Sequence, residues 1–197
     1  SLLADPASLT RSFMPDRLPG RERHLEELGR YLSADQIRRQ PIHVWLYGGP
    51  GSGKTTTIRH VLDHLGHDGS ARSVLVNCWT KSSYFEILDD IVLQLRILRA
   101  EEHRASVKLE RLHRYLADRP FVIVLDEIDK MRPFERSTTL YGLMSLENAA
   151  LVCISHSLDA LLELDDRTQS SLSSRVVRFS TYSNVAIEAI LQQRASL

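Results

Sequence analysis

Residues 48–56 read GGPGSGKTT and could hold the phosphates of a nucleotide. Gly48, Gly53, Lys54 and Thr55 satisfy the pattern G-x-x-x-x-G-K-[S/T] in full. Glycines let successive backbone N–H groups turn inward around a phosphate, and the following helix points its positive end at it. Lys54 would neutralise the β- and γ-phosphates, and the Thr55 hydroxyl would be a ligand of Mg²⁺. The predicted phosphate-binding residues are Gly49, Pro50, Gly51, Ser52, Gly53, Lys54, Thr55 and Thr56.

An acidic pair follows the apolar run FVIVLD at residues 121–126. Asp126 ends this run, where an acid can hold Mg²⁺, and Glu127 comes next, where it can polarise an attacking water. The pair favours hydrolysis of ATP over phosphorylation of a small molecule, because water would compete with the acceptor of a kinase. The alternative interpretation is an acidic turn after a buried strand. Asp129 and Lys130 could be no more than a solvated loop.

Alternating apolar runs and amphipathic stretches predict the elements that must position these residues. Short runs bounded by turn residues indicate strands, and apolar residues at helical spacing, such as Leu25, Leu28 and Leu32, indicate helices. This alternation is typical of a parallel sheet covered by helices on both faces. The predicted strands are 43–47, 73–78, 121–126, 150–155 and 176–180, and the predicted helices are 21–32, 55–65, 84–99, 104–117, 137–146 and 184–195.

Composition excludes several classes of protein. Lys plus Arg and Asp plus Glu each number 25 in the 197 residues, so no global charge attracts nucleic acid or an anionic membrane. No apolar run reaches the ~18 residues of a membrane span, and the N-terminus lacks the pattern of a secretion signal. Cys78 and Cys153 form no disulfide framework. We expect no membrane partner and a reducing, cytoplasmic location.

Five segments together resemble the AAA+ ATPase core of the Orc/Cdc replication-initiator family, above all its archaeal form. They are PDRLPGRERHLEEL (15–28), GGPGSGKT (48–55), VLVNCWTKSSYFEIL (74–88), VIVLDEIDKM (122–131) and the stretch from SHSLDALL to ILQQR (155–194). The resemblance implies an α/β three-layer P-loop NTPase fold with a five-stranded parallel sheet in the order 5-1-4-3-2. It also implies three regions: an arm near adenine (1–20), the AAA+ core (21–183) and the start of a helical lid (184–197). The rest of that lid and a winged helix would lie beyond residue 197, in a longer protein, unless this is a reduced relative.

The same resemblance assigns residues to the site. Adenine would lie against Pro15, Leu18, Arg21, Tyr182 and Ile190. Arg167 would reach the ATP of a neighbouring subunit, the alternative being a surface arginine in a polar loop; Arg175 is a weaker candidate. The family usually senses the γ-phosphate with an asparagine where this chain has His156, which acts as the sensor or is a satisfied loop histidine. The implied catalytic residues are Glu127, Lys54, His156 and Arg167, the metal ligands are Thr55 and Asp126, and the ligands are ATP or ADP with Mg²⁺.

Family membership further implies an ATP-driven switch that binds origin DNA and helps to load a helicase. The implied partners are double-stranded DNA, mostly through regions outside this chain, a replicative helicase or sister initiator subunits, and another copy of the chain through Arg167, with a nucleoid-associated location. Trp79 and Lys81 lie in WTKSSY (79–84), which matches a DNA-contacting insertion, although Trp79 could instead pack under the next helix. Two other functions stay open: a binding module that does not hydrolyse ATP, and an ATPase of transposition or DNA remodelling.

Three histidines are spaced as metal ligands on a helix could be. His60, His64 and His67 recur at i, i+4 and i+7 of a predicted helix, with Asp63 nearby. This spacing could bind zinc. It is equally that of a polar helix end, where histidine is favoured by the helix dipole, and we prefer this second interpretation.

Overall fold

The computed structural model describes residues 17–67, 69–97 and 104–195, and five parallel strands form its central sheet. The strand order is β2-β3-β4-β1-β5, which is the predicted order 5-1-4-3-2 read from the opposite edge, so the predicted fold class is confirmed. β3 and β4 are buried along their whole length because each has a strand on both sides and helices on both faces. The strands are β1 (Val44–Tyr47), β2 (Arg72–Asn77), β3 (Phe121–Asp126), β4 (Ala149–Ser155) and β5 (Arg175–Arg178).

Helices cover both faces of the sheet and make two separate hydrophobic cores. One core joins Leu28 of α1 and Ile58 of α3 to one face of β1, β3 and β4. The other joins Ile87 of α4, Leu112 of α5 and Leu140 of α6 to the opposite face. No helix in the described part of the chain is long and apolar enough to cross a bilayer. The helices are α1 (Glu22–Tyr31), α2 (Ala34–Arg39), α3 (Lys54–His67), α4 (Tyr84–Gln94), α5 (Ala105–Leu116), α6 (Pro133–Leu143), α7 (Asp159–Leu162), α8 (Asp166–Leu172) and α9 (Asn184–Ala195).

Several predicted boundaries were wrong, each for a local reason. Helix α4 ends at Gln94 rather than 99, and Arg96 adopts a left-handed backbone with φ 55°. Helix α6 begins at Pro133, before the expected start at 137, because proline suits a first helical position. Helices α2, α7 and α8 were not predicted, since elements of 6, 4 and 7 residues are too short for periodicity to reveal. None of these changes moves the carboxyl edge of the sheet.

Candidate functional site

A cavity of about 430 Å³ opens at the carboxyl edge of the sheet, where the predicted phosphate loop and acidic pair meet. Strand β4 lies between β1 and β3, with Ser155 opposite Tyr47. The loops that follow β1, β3 and β4 therefore converge over the end of β4, which is where α/β sheets bind ligands. The lining residues are Pro50 to Thr56, Asp126, Glu127, Asp129, Ile154, Ser155 and His156.

The phosphate loop closes around the ammonium of Lys54. Lys54 begins α3, and its Nζ donates to the carbonyl oxygens of Gly48 at 2.6 Å and Gly49 at 3.1 Å. Burial lowers the pKa of Lys54, although the carboxylates of the cavity act in the opposite direction. A phosphate that entered the loop would offer this ammonium charged oxygens in place of the two carbonyls, which makes the exchange favourable.

The residues predicted to bind Mg²⁺ already form a pair. The hydroxyl of Thr55 donates to both carboxylate oxygens of Asp126, at 3.2 and 3.0 Å, and the Glu127 amide donates to Oδ1 at 3.0 Å. Burial raises the pKa of Asp126, while the hydrogen bonds from Thr55 and the Glu127 amide counteract part of that rise. Oxygen ligands of this kind, beside a phosphate loop, fit the requirements of Mg²⁺.

Glu127 occupies an unusual backbone conformation directly after β3. Its φ and ψ are 56° and 41°, in the left-handed region that costs a non-glycine residue free energy. The conformation is held by the 3₁₀ turn that follows and by Arg136, which sequence reasoning missed. Arg136 is buried and donates to the carbonyl oxygens of Ile128, Met131 and Ala160. The turn after the acidic pair is thereby fixed, and the Glu127 side chain lines the cavity.

His156 lies in the cavity and is bonded to Asp129. Its Nδ1 is 2.9 Å from Asp129 Oδ2, and its backbone N–H donates to Oδ1 at 3.3 Å. The interpretation of Asp129 as a solvated loop residue was wrong, because its side chain is only 18% exposed. Burial raises the pKa of Asp129, but the hydrogen bond and charge of His156 outweigh it, so the pKa ends below its ordinary value.

Two of the predicted adenine-side residues meet on the phosphate loop. The guanidinium of Arg21 is buried, donates to the carbonyl oxygens of Ser52 and Ser180, and lies 4.1 Å from the ring centre of Tyr182. The Tyr182 hydroxyl rests on Gly53, where φ is +83° and an added Cβ would collide with it. Leu18 is buried, and its carbonyl oxygen accepts the backbone N–H of Arg21. Ile190 is half-buried on α9, and Pro15 lies outside the described residues.

Arg167 is not among the residues that line the cavity. It lies on α8, where its guanidinium donates to the hydroxyl of Tyr141 and stacks 4.1 Å from that ring. The same arginine lines a mostly apolar groove with Phe134 and Tyr84. Arg167 is exposed, as the alternative of a surface arginine expects, but it lies on a helix capped by Asp165 and not in a loop.

Two surface features from the sequence are also located. Trp79 does not pack under α4, since it is 62% exposed and lies 5.0 Å from Lys130 Nζ. The rings of His60 and His64 stack at 4.5 Å on α3. In the described ranges, no three His, Cys, Asp or Glu side chains group together in a way that could hold a metal ion.

Comparison with known proteins names the family. The model of the AAA ATPase domain matches residues 17–155, which contain the phosphate loop, the acidic pair and the strand that ends at Ser155. The chain belongs to the AAA ATPase family. Its most similar relatives indicate which branch of that family it belongs to.

These relatives are replication proteins of archaea. The chain is 32% identical to the ORC1-type DNA replication protein 1 of Archaeoglobus fulgidus over 96% of this chain and 49% of that protein. The Pyrobaculum aerophilum Cdc6p structure matches with a TM-score of 0.85 and 29% identity, over 100% of this chain and 54% of that chain. The structure of the Aeropyrum pernix ORC1 protein, solved in complex with DNA, matches with a TM-score of 0.84 and 28% identity. This match covers 100% of this chain and 55% of that chain. The resemblance predicted from the sequence is confirmed: the chain is an AAA+ core of Orc/Cdc type, and it spans about half the length of these relatives.

Proposed function

We propose that this AAA+ core is an ATP-binding and ATP-hydrolysing switch of the replication-initiator type. The proposal rests on one observation: Thr55 Oγ1 lies 3.0 Å from Asp126 Oδ2. This pair and Glu127 line the same cavity as the phosphate loop. A hydroxyl, a carboxylate and a second carboxylate at these places meet the needs of Mg²⁺-dependent phosphoryl transfer to water.

The chain's residues would divide the reaction as follows. Backbone N–H groups of residues 49–56 and the Lys54 ammonium bind the phosphates, and Thr55 and Asp126 hold Mg²⁺, which neutralises phosphate charge when bound. Glu127 accepts a proton from water as the water oxygen bonds to the γ-phosphorus and the bond to the β,γ-bridging oxygen breaks. ADP and phosphate are the products. Arg167 of a neighbouring copy would stabilise the charge that develops on the transferred group.

The nucleotide base would lie beside the segment that covers the phosphate loop. Arg21 and Tyr182 already contact the phosphate loop at Ser52 and Gly53. A base bound next to them would therefore contact both the segment before α1 and the segment after β5. Leu18 and Ile190 would add apolar contact, and Pro15 would extend the same surface. We further propose that residues 1–20 form this arm, that 21–183 form the core and that 184–197 begin a lid.

DNA and the replication machinery are the proposed partners. The Aeropyrum pernix ORC1 relative binds DNA, whereas the present chain has a formal net charge of zero. Most of the contact with double-stranded DNA would therefore come from parts of a longer protein, and sister initiator subunits or a replicative helicase would engage the AAA+ core. Such a protein acts on the chromosome, so the nucleoid within the cytoplasm is its proposed location.

Fluorescence anisotropy of labelled duplex DNA tests the switch. The chain and the full product of its gene would be titrated in ATP and in ADP across a series of salt concentrations, with Lys54→Ala as the nucleotide-blind control. We expect the full product to bind more tightly in one nucleotide state, with a steep salt dependence, and Lys54→Ala to lose the nucleotide effect. Equal affinity in ATP, ADP and no nucleotide would contradict a nucleotide-driven DNA switch.

A further inference from the structure

The pairing of Asp129 with His156 fixes which ring nitrogen of the histidine carries a proton. An ionised carboxylate only accepts hydrogen bonds, and the pKa of Asp129 lies below its ordinary value. The nitrogen 2.9 Å from it, Nδ1, must therefore be the donor. Nε2 is then the ring nitrogen left for a ligand in the cavity that His156 lines.

The backbone on both sides of His156 is restrained by hydrogen bonds. The buried indole of Trp45 donates to Ser155 Oγ at 2.9 Å, and Ser155 Oγ donates to the carbonyl oxygen of Ser157 at 2.5 Å. Asp129 supplies the third restraint by accepting the His156 backbone N–H. A side chain held on such a segment keeps its direction without a further entropy cost during the reaction.

Asp129 also stands on the same turn as the proposed base. Glu127 and Asp129 are separated by one residue, and Arg136 holds that turn through the carbonyl oxygens of Ile128 and Met131. The carboxylate that orients His156 and the carboxylate that would activate water therefore stand on one turn that Arg136 fixes.

We propose that Asp129 is a positioning residue for ATP hydrolysis, holding His156 so that Nε2–H donates to a γ-phosphate oxygen. This rests on the proposed hydrolysis of ATP. Because Nδ1 is already a donor, Nε2 carries a proton only in the imidazolium form, in which both nitrogens donate. The proton stays on Nε2 throughout, while Glu127 takes the proton of the attacking water.

Other charged groups face this pair and define its surroundings. Lys130 Nζ lies 3.7 Å from Asp129 Oδ2, on the side of the carboxylate bonded to His156. Glu127, Asp126 and Lys54 line the same cavity. A bound triphosphate would place negatively charged oxygens opposite Nε2, and an Nε2–H donor would meet them with a charge-assisted hydrogen bond.

A double-mutant cycle separates positioning from general structure. ATP turnover would be measured from pH 6 to 9 for the wild type, Asp129→Asn, His156→Asn and the double variant, with Asp118→Asn as an exposed control. In the wild-type background we expect Asp129→Asn to lower kcat about 10- to 100-fold. This is somewhat less than the effect of removing a hydrogen-bond donor to the transition state altogether. In the His156→Asn background it should change kcat by less than about twofold, because the asparagine amide needs no carboxylate. Equal effects in both backgrounds would overturn the proposal.

Imidazole ¹⁵N spectra decide the role of Asp129 independently of turnover. We expect protonated Nδ1 on His156 in the wild type, a shift of Nε2 on binding of a non-hydrolysable ATP analogue but not of ADP, and loss of the preference for a proton on Nδ1 in Asp129→Asn. An unprotonated Nδ1 in the wild type would refute the proposal. A wild type that shows these signals but never hydrolyses ATP would contradict the proposed hydrolysis instead.

Discussion

Arg21 is tied to Ser52 by two hydrogen bonds, from Nε at 3.1 Å and from Nη2 at 2.8 Å, to one carbonyl oxygen. The same Nη2 donates to the carbonyl oxygen of Ser180 at 2.6 Å. A buried guanidinium thus joins the entry of α1, the phosphate loop and the segment after β5, three places far apart in the sequence. The conformation of the phosphate loop is therefore held partly by Arg21, which lies outside the loop.

Replacing Arg21 by methionine should loosen this junction. The buried carbonyl oxygen of Ser52 and the partly exposed one of Ser180 would lose a charged donor, at a cost of about 2–4 kcal/mol in the free energy of unfolding, and affinity for a fluorescent ADP analogue should fall. Urea titration and nucleotide titration measure the two effects. Arg23→Met, at an exposed position in the first turn of α1, is the control. A variant as stable as Arg23→Met would show that the junction does not support the loop.

Asp126→Asn should separate stability from function. Burial raises the pKa of Asp126, so its negative charge opposes folding at neutral pH, and an amide can still accept from Thr55 and from the Glu127 amide. We expect an equal or higher free energy of unfolding without ligand, and at least about tenfold weaker binding of Mg²⁺–ATP. The gain in stability should be largest near pH 7 and vanish in acid, where the wild-type carboxyl is protonated too. Asp118→Asn serves as the exposed control, and a strongly destabilised apoprotein would contradict this account.

His43 should make the fold sensitive to mild acid. Its Nδ1 accepts the Leu151 N–H at 3.2 Å, and burial lowers its pKa to about 4. An unfolded histidine titrates near ~6.5, so between these values the unfolded chain binds a proton that the native chain does not. Stability is therefore complete above pH ~6.5 and falls by about 2–3 kcal/mol as the pH approaches ~4.5.

Urea titrations at several pH values measure this contribution. His43→Asn keeps an acceptor for Leu151 but cannot titrate, so the difference in unfolding free energy between wild type and variant should shrink as pH falls. His67→Asn controls for the loss of a histidine at an exposed helix end. A difference that stays constant from pH 7.5 to 4.5 would rule out the neutral state of His43 in the folded protein.

Local patterns predicted the fold because the motif-bearing elements are long and buried. β3 has the predicted limits 121–126, and the phosphate motif lies between β1 and α3, as its chemistry requires. The partners of these residues could not be predicted, because they come from distant parts of the chain. Asp129 and His156 are 27 positions apart, and Arg21 and Ser52 are 31 apart. The charge and spacing of a residue show what it can do, whereas the topology of the sheet decides which residue it meets.

Arg136 illustrates the same limit on a helix. In the sequence it is one arginine in a charged stretch, PFER, and nothing in that stretch indicates burial. The structure buries it because the turn at Ile128–Lys130 and helix α7 both present carbonyl oxygens toward α6. A residue of this type is recognisable only when the acceptors around it are known.

The proposed hydrolysis depends above all on Glu127, which would activate water to attack ATP bound at this phosphate loop. The most direct test is to measure ATP affinity and steady-state turnover of Glu127→Gln beside the wild type and the exposed control Glu188→Gln. We expect ATP affinity within a few-fold of wild type and turnover reduced about 10²- to 10⁴-fold in Glu127→Gln alone. Undiminished turnover in Glu127→Gln would contradict it.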